Sequence, residues 1–370
     1  MIHVVLDTNI YRSNPSRNNL NFQAIEKLAN AGWLKLHIPY VVEREFQTQQ
    51  REIYSKDLEK AQSGLSCLSR KQLSPEVLEI INLLKAQLEA ESENILLDAE
   101  KQLADWAESI DANRYPLCLD QAHTALEAYF HGFPPFKAPK IRDDIPDSFV
   151  VQAINKLCLE NGDIHLVAGD KKVRDAFSER KSVTVYKDLS DFIESEIIQN
   201  ELKDIDLLGN IEEIKLALQA YEDECSDIST RISSDVGEAI VGRKISDPSI
   251  PDDNNEATIY GYDSADEIEF DFTELAYYGN GQFGFPFSLK TMVSAIYYIY
   301  KADYYCMDDG PSVTDHNDHY FEAEDEFEVI VTGAVSITID RDKINMDEFS
   351  ECIDQESIAI DEVQSIDLSK

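Results

Sequence analysis

The sequence predicts an α/β fold for its N-terminal half and a mainly antiparallel β domain for its C-terminal half. Up to about residue 200, short apolar runs alternate with segments of helical periodicity. This order is typical of a mostly parallel sheet with helices on both faces. After residue 256, aromatic and β-branched residues recur at every second position, as in strands with one buried face. At 370 residues, the chain is also longer than one ordinary domain.

The N-terminal half contains four segments that we expect to be strands. The first is the apolar run Ile2–Leu6, which suits a buried parallel strand. The others are expected at 34–38, 164–167 and 183–186. Helices are expected from Phe22 to about Gly32, over residues 42–110 with candidate breaks at Gly64 and Ser74-Pro75, and after Pro146, Lys171 and Leu189.

The C-terminal half changes to runs with a period of two. These runs begin at Thr258, Ile268, Phe283, Phe327 and Val335. Gly333 lies between the last two runs, where we expect a bend or turn. We therefore divide the chain into an N-terminal domain (1–204), a helical linker (205–256) and an acidic, tyrosine-rich β domain (257–370).

Composition excludes several classes of protein. No apolar run approaches the ~20 residues of a membrane span, and the opening residues lack the basic and apolar regions of a signal peptide. The six cysteines are scattered without a CxxC pair, which excludes the usual zinc ribbons and disulfide scaffolds. We expect a soluble protein of a reducing compartment, the cytoplasm.

The charge is strongly negative and unevenly distributed. The formal net charge is −39, with −8 in residues 1–200 and −31 in residues 201–370. A chain of this charge repels free polyanions at long range, so any contact with nucleic acid has to rely on local basic residues.

Four acidic residues occupy corresponding positions at the ends of predicted elements. Asp7 ends the first strand, Glu45 and Asp147 lie in the first turns of helices, and Asp170 follows the strand at 164–167. The carboxyl ends of parallel strands form the ligand crevice of an open α/β sheet, so these side chains can converge. Carboxylates that share a crevice repel one another unless a cation such as Mg²⁺ or Mn²⁺ lies between them.

A simpler explanation exists for each acid taken singly. The helix dipole and N-capping favour acids in first helical turns without any metal. Both explanations stay open from the residue pattern, although four acids at corresponding ends favour a shared site.

Four segments resemble, in order, the acidic motifs of PIN-domain nucleases: VVLDTNI, IPYVVEREF, IPDSFVVQAI and HLVAGDKKVRDAF. The resemblance covers about residues 1–195, and DTN is its most specific element. It implies a Rossmann-like sheet and an Mg²⁺- or Mn²⁺-dependent ribonuclease, as in VapC-like toxins. By this resemblance the metal ligands are Asp7, Glu45, Asp147 and Asp170, oriented by Thr8 and Asn9, with Asn9 also counted among the catalytic residues.

The sequence departs from the family pattern in several places. Glu43 competes with Glu45, and Asp144, like its neighbour Asp143, competes with Asp147. Ala168 stands where the fourth motif often has Ser or Thr, which makes Asp175 an alternative last ligand. The long gap between the second and third motifs indicates a helical insertion at about 52–135. It could serve as a lid, an RNA-gripping arm or the surface of a homodimer.

Two basic clusters flank the predicted ligands and are candidate phosphate contacts. They consist of Lys137, Lys140 and Arg142 before Asp147, and of Lys171, Lys172 and Arg174 after Asp170. An ordinary solvated helix face explains them equally well.

The C-terminal domain resembles no family that we recognise. Its acidic surface suits the docking of a basic protein partner, such as an antitoxin, or covering of the basic rim of the nuclease. A TDHNDHY segment containing Asp315, His316, Asp318 and His319 is more typical of a turn than of a metal site.

We therefore expect a metal-dependent endoribonuclease, a toxin or phage-defence effector regulated by its acidic domain. The alternatives are a structure-specific DNA nuclease and a catalytically idle scaffold that binds protein partners.

Overall fold

The computed structural model describes residues 1–133, 145–206, 211–263, 265, 267–307, 310–340 and 346–369. These residues form two compact units. One comprises Met1–Asn18 and Ile25–Phe192, and the other comprises Asn19–Ala24 and Ile193–Lys370. No helix within the described ranges is long and apolar enough to cross a membrane.

The N-terminal unit confirms the predicted α/β fold. Its strands are β1 (Ile2–Leu6), β2 (Leu34–Pro39), β3 (Asn113–Tyr115), β4 (Ile164–Val167) and β5 (Val183–Tyr186). They form one parallel sheet in the order β3-β2-β1-β4-β5. The helices are α1 (Thr8–Ser13), α2 (Leu20–Asn30), α3 (Tyr40–Leu68), α4 (Pro75–Ser109), α5 (Leu119–His131), α6 (Ile145–Asn161), α7 (Lys171–Asp175) and α8 (Leu189–Ile193).

Strand β1 lies at the centre of this sheet. Val5 is opposite His37 of β2 and Leu166 of β4, so backbone partners flank the strand on both sides. Val4, Val5 and Leu6 are fully buried, which explains why the strand is a continuous apolar run instead of an alternating one. The carboxyl end of β1 therefore lies in the middle of the sheet, where Asp7 follows.

The long helical section differs from its prediction in two ways. Helix α3 runs unbroken through Gly64, so the predicted break there is wrong, whereas Ser74 does begin α4 by accepting a hydrogen bond from the Val77 N–H group at 3.4 Å. The predicted insertion at 52–135 also contains β3, the edge strand of the parallel sheet. Three residues with a single buried side chain are too short to show a strand pattern in sequence.

The C-terminal unit is built on an antiparallel sheet. Its strands are β6 (Lys244–Ser246), β7 (Glu256–Tyr262), β8 (Glu267–Phe270), β9 (Ala276–Gly279), β10 (Gln282–Tyr300), β11 (Val313–Asp315), β12 (Tyr320–Ile339) and β13 (Ile353–Leu368). The main order is β11-β12-β10-β7-β6, with β13 paired to β12 and with β8 and β9 paired to β10. Its helices are α9 (Glu196–Asp206), α10 (Ile211–Cys225), α11 (Asp227–Ile240) and α12 (Lys301–Tyr304). The segment 205–256, predicted as a linker, thus includes helices and the edge strand β6.

Gly333 does not form the predicted turn. It lies inside β12, opposite Phe287 of β10, in a ladder that runs without a break from Gln282 to Tyr300. A Cβ atom on Gly333 would lie 2.1 Å from the Glu362 carbonyl oxygen and 2.8 Å from the Phe287 ring. Glycine is therefore required by the close approach of β13, not by a reversal of the chain.

The first half of β12, which pairs with the second half of β10, has an acidic outward face. Glu324, Glu326 and Glu328 are exposed at every second position of β12. Tyr298 stands opposite Glu322 in the ladder, and the Tyr260 hydroxyl donates to Glu324 Oε2 at 3.1 Å. The predicted acidic, tyrosine-bearing sheet surface is thus one face shared by β7, β10 and β12.

The two glycines give a matched test of this packing. Gly333→Ala should destabilise the protein by roughly 1–3 kcal/mol, because the backbone of β13 has to move away from the new methyl group. Gly64→Ala, with open space around its Cβ position, should stabilise α3 by about 0.5–1 kcal/mol. Denaturant titration measures both changes, and a neutral Gly333→Ala would contradict the close approach of β13.

Candidate active site

The carboxyl ends of β1 and β4 bring two predicted acids to the same edge of the sheet. Asp7 directly follows β1, and its N–H group donates to the Val167 carbonyl at the end of β4, at 2.9 Å. Its carboxylate accepts a hydrogen bond from the Thr8 N–H group at 2.9 Å and caps α1. Asp170 caps α7 in the same manner, accepting from the Lys172 N–H group at 2.6 Å.

Thr8 connects this edge to the start of α3. Its buried hydroxyl donates to Glu45 Oε2 at 2.7 Å, so one residue binds the carboxylate of Asp7 through its backbone and that of Glu45 through its side chain. The family resemblance gives Thr8 the role of orienting the acids, and that role stays a prediction.

The electrostatics of Asp7 show that three acids share one environment. Burial is the largest effect and raises the pKa of Asp7 to about 6, with the charges of Glu45 and Asp170 adding to the rise. The hydrogen bond from Thr8 opposes this shift and does not cancel it. N-capping explains where Asp7 and Asp170 stand, but it does not explain why a buried carboxylate faces two others.

Glu43, the competitor of Glu45, has a different environment. Its buried carboxylate receives two hydrogen bonds from Arg114 of β3, at 2.6 and 3.0 Å, and one from Gln47 at 3.1 Å. Two residues apart on a helix, positions 43 and 45 point about 200° away from each other. Arg114 thus neutralises Glu43, while Glu45 contributes its negative charge to Asp7.

Asn9 packs against the backbone beside Asp170. A Cβ atom on Gly169 would lie 2.3 Å from the Asn9 Nδ2 atom, so a larger residue there would displace the Asn9 side chain. The Asn9 Oδ1 atom is buried and has no hydrogen-bond partner in the described part of the chain. Gly169 was absent from the predicted site, and its only sequence signal is its position directly before Asp170.

Asp147 and Asp175 are the other predicted acids that the structure describes. Asp147 lies in the first turn of α6 and is not among the charges that raise the pKa of Asp7. Asp175 is exposed at the end of α7. Asp144 lies outside the described residues, as do Asp143, Lys137, Lys140 and Arg142.

The basic cluster after Asp170 divides into two kinds of side chain. Arg174 donates to the Ala168 carbonyl at 2.7 Å and to the Gly169 carbonyl, so it braces the loop that presents Asp170. Lys171 and Lys172 are exposed. Of the predicted phosphate contacts that the structure describes, these two lysines are therefore the ones positioned toward solvent.

The oxygen atoms of these side chains are of the chemical type that binds a hard divalent cation. Carboxylates and an amide oxygen are the ligands that Mg²⁺ and Mn²⁺ prefer. The raised pKa of Asp7 reflects negative charge that a cation would neutralise, and the Asn9 Oδ1 atom is a buried acceptor with no donor. Over the residues that the structure describes, no three His, Cys, Asp or Glu side chains are grouped tightly enough to hold a metal ion in their present positions.

Comparison with known proteins finds one similarity, within this unit. A family model described as PIN domain matches residues 4–172. The match begins within β1 and ends just after Asp170, so it spans the whole edge described above. No curated protein matches the chain, and no solved structure matches it.

Replacing Asp7 should raise stability in a pH-dependent manner. Because its pKa is about 6 in the folded state, against 3.8 ordinarily, charging Asp7 destabilises the fold as pH rises from about 4 to about 6. Asp7→Asn keeps the cap and removes this penalty, so it should stabilise the protein by roughly 2–3 kcal/mol above pH 7 and by almost nothing near pH 3.5.

Urea titrations of wild type and variant across this pH range measure the difference. Asp120→Asn, in the exposed first turn of α5, is the matched control and should change stability little at any pH. A pH-independent effect of Asp7→Asn would show that Asp7 is not a penalised buried carboxylate.

Proposed function

We propose that this protein is a metal-dependent endoribonuclease, because residues 4–172 match a family model described as PIN domain and PIN domains are usually nucleases. One observation carries the proposal. A buried carboxylate, Asp7, stands at the carboxyl end of the central strand with a pKa raised by two further acids, Glu45 and Asp170. Such an arrangement lowers stability and is typical of functional sites.

In this proposal Asp7, Glu45 and Asp170 hold Mg²⁺ or Mn²⁺, and Asp147 completes the ligand set from α6. When bound, the cation supplies Lewis-acid activation of water and stabilises the leaving oxygen of a phosphodiester. Glu43 is not included, because Arg114 and Gln47 already occupy its carboxylate.

The surrounding residues position these acids. Thr8 fixes the Glu45 carboxylate through its hydroxyl group, and Arg174 holds the loop before Asp170 through two carbonyls. Asn9 presents its buried Oδ1 atom beside Gly169 and can accept a hydrogen bond from a metal-bound or substrate group. Thr8 and Arg174 thus act by holding a neighbour in place, whereas Asn9 offers an acceptor.

RNA is the proposed substrate, on the resemblance of the four motifs to ribonucleases of the family. Lys171 and Lys172 are the proposed phosphate contacts, since they are exposed immediately after Asp170. The roles as toxin or phage-defence effector, and the docking of an antitoxin or other basic protein on the acidic C-terminal unit, stay predictions from the sequence. The acidic face of β12 supports the last of these by its charge alone.

Cleavage of a mixed panel of tRNA, rRNA and single-stranded DNA tests the proposal. With Mg²⁺ or Mn²⁺ the wild type should cut RNA, and EDTA should abolish cutting. Asp7→Asn and Glu45→Gln should lower the rate by at least on the order of 100-fold, because each removes a metal ligand. Glu43→Gln is the matched control, and it should lose stability by about 1–3 kcal/mol while retaining activity where it is folded.

Two outcomes would redirect the assignment. Cutting confined to DNA would move the substrate to the alternative nuclease class. If no nucleic acid is cut, or if Glu43→Gln and Glu45→Gln lose activity equally, the acid site is not catalytic in the manner proposed. The interpretation of the protein as a catalytically idle scaffold is then favoured.

The two exposed lysines give a separate test of substrate binding. Lys171→Gln/Lys172→Gln should weaken RNA binding without changing the maximal rate, since phosphate contacts position the substrate. The slope of log affinity against log salt should fall by about 1.4, roughly 0.7 for each lost contact with a single strand. Lys101→Gln, exposed on α4, is the control, and an unchanged slope in the double variant would exclude these lysines.

A further inference from the structure

A narrow, mostly apolar pocket lies at the carboxyl edge of the N-terminal sheet. Tyr40 lines it from the first residue of α3, Leu117 from the loop after β3, and Phe149 from the first turns of α6. Gln121 of α5 adds one polar side chain. We call the depression lined by these four residues the edge pocket. Tyr40 is 47% exposed, so an aromatic ring at the rim of the pocket is available to a ligand.

The strand register places Tyr40 beside Asp7. Val5 of β1 is opposite His37 of β2, so Asp7, two residues farther on, is level with Pro39. Pro39 directly precedes Tyr40, and neighbouring strands lie only about 4.8 Å apart. A nucleic-acid strand with a phosphate at Asp7 therefore has its neighbouring nucleotide within reach of the Tyr40 ring.

The edge pocket also adjoins the elements that carry two other proposed metal ligands. Tyr40 is five residues before Glu45 on α3, and Phe149 is two residues after Asp147 on α6. A group bound in this pocket would be part of the substrate of the proposed nuclease. The inference below thus rests on the proposed function.

Gln121 supplies a hydrogen-bond donor that the protein does not use. Gln121 is 6% exposed, and its Oε1 atom accepts from the Cys118 N–H group at 3.1 Å. Its Nε2 atom is buried and has no hydrogen-bond partner within the described ranges. Either a water molecule or an acceptor atom of a ligand satisfies such a donor. Apolar and aromatic walls with one free donor suit a planar group that has acceptors on its edge, as a nucleobase has.

A basic residue stands one helical turn after Tyr40. Arg44 is exposed, and residues four apart lie on the same side of a helix. An aromatic ring beside a positive charge is the usual combination for binding single strands, since the ring stacks a base and the charge contacts the backbone. A base within a duplex cannot use the ring, because its faces are covered by its neighbours in the stack.

We propose that the edge pocket binds an unpaired base of the RNA substrate. The base stacks on Tyr40, its edge accepts a hydrogen bond from Gln121, and Arg44 contacts the adjacent phosphate. The pocket therefore selects single-stranded RNA over duplex RNA. Because every base has a π face and an acceptor atom, the pocket does not read the sequence.

Binding of RNA oligonucleotides to the full-length chain tests the proposal. All proteins carry Asp7→Asn and are measured with Mg²⁺, so that binding is followed without cutting. Tyr40→Ala should weaken binding of a mixed-sequence single strand on the order of 10-fold, because the stacking surface is lost. Tyr40→Phe keeps the ring and should bind within about twofold of its parent. Trp33→Ala removes a similarly exposed ring, 43%, at the opposite end of β2 and should bind as the parent does.

Two further RNA probes identify the contact. An abasic strand of the same length, and the mixed-sequence strand annealed to its complement, offer no free base. Tyr40→Ala and its parent should therefore bind each of these two probes equally. Equal binding of the single strand by Tyr40→Ala and its parent overturns the proposal. An equal loss of binding with the abasic strand, or with Trp33→Ala, overturns it as well.

The binding assay separates this proposal from the proposed catalysis. A protein that binds unpaired bases through Tyr40 but cuts no RNA as the wild type supports the edge pocket and refutes the nuclease. A wild type that cuts RNA, with Tyr40→Ala cutting and binding equally well, supports the nuclease and refutes the edge pocket.

Discussion

The acid site of the N-terminal unit brings together three carboxylates that repel one another. Asp7 is buried at the end of the central strand, and the charges of Glu45 and Asp170 oppose its ionisation. Folding alone does not favour such a cluster, because three acids near one another destabilise the state that brings them together. The surrounding bonds from Thr8 and Arg174 hold the acids and their loop in place without neutralising them. This cluster of acids lowers the stability of the fold and is nevertheless held in place. It is therefore the strongest physical argument for a function at this edge of the sheet.

Two acids of α3, Glu43 and Glu45, differ in whether the protein itself supplies a positive partner. Glu43 is buried and paired with Arg114, so the chain has supplied its own cation from β3. Glu45 points the other way and is bound by a neutral hydroxyl. The edge strand β3, although only three residues long, therefore decides which of two acids remains negative toward Asp7. The helical insertion brings Arg114 to the sheet, so it also affects the distribution of charge at the site.

Sequence reasoning succeeded where the cause is local and failed where it is a distant neighbour. The strand Ile2–Leu6 and the helix break at Ser74-Pro75 are determined by residues close in sequence, and both were predicted. The turn predicted at Gly333 was wrong, because the reason for glycine there is the backbone of β13, some 30 residues away in the chain. The pairing of Glu43 with Arg114 was invisible for the same reason. Gly169, in contrast, stands directly before Asp170, so its place at the site has a local signal in the sequence.

Helix α3 links the acid site to the helical insertion. It carries Glu45 in its second turn, and its 29 residues make one unbroken rod of about 43 Å. Farther along the rod, Arg51 pairs with Glu93 and Glu100 of α4. In the first turns, Arg114 holds Glu43 and Thr8 holds Glu45, on opposite sides of the helix. A shift of α3 along its axis would strain both contacts at once, so the packing of α4 on α3 contributes to the position of Glu45.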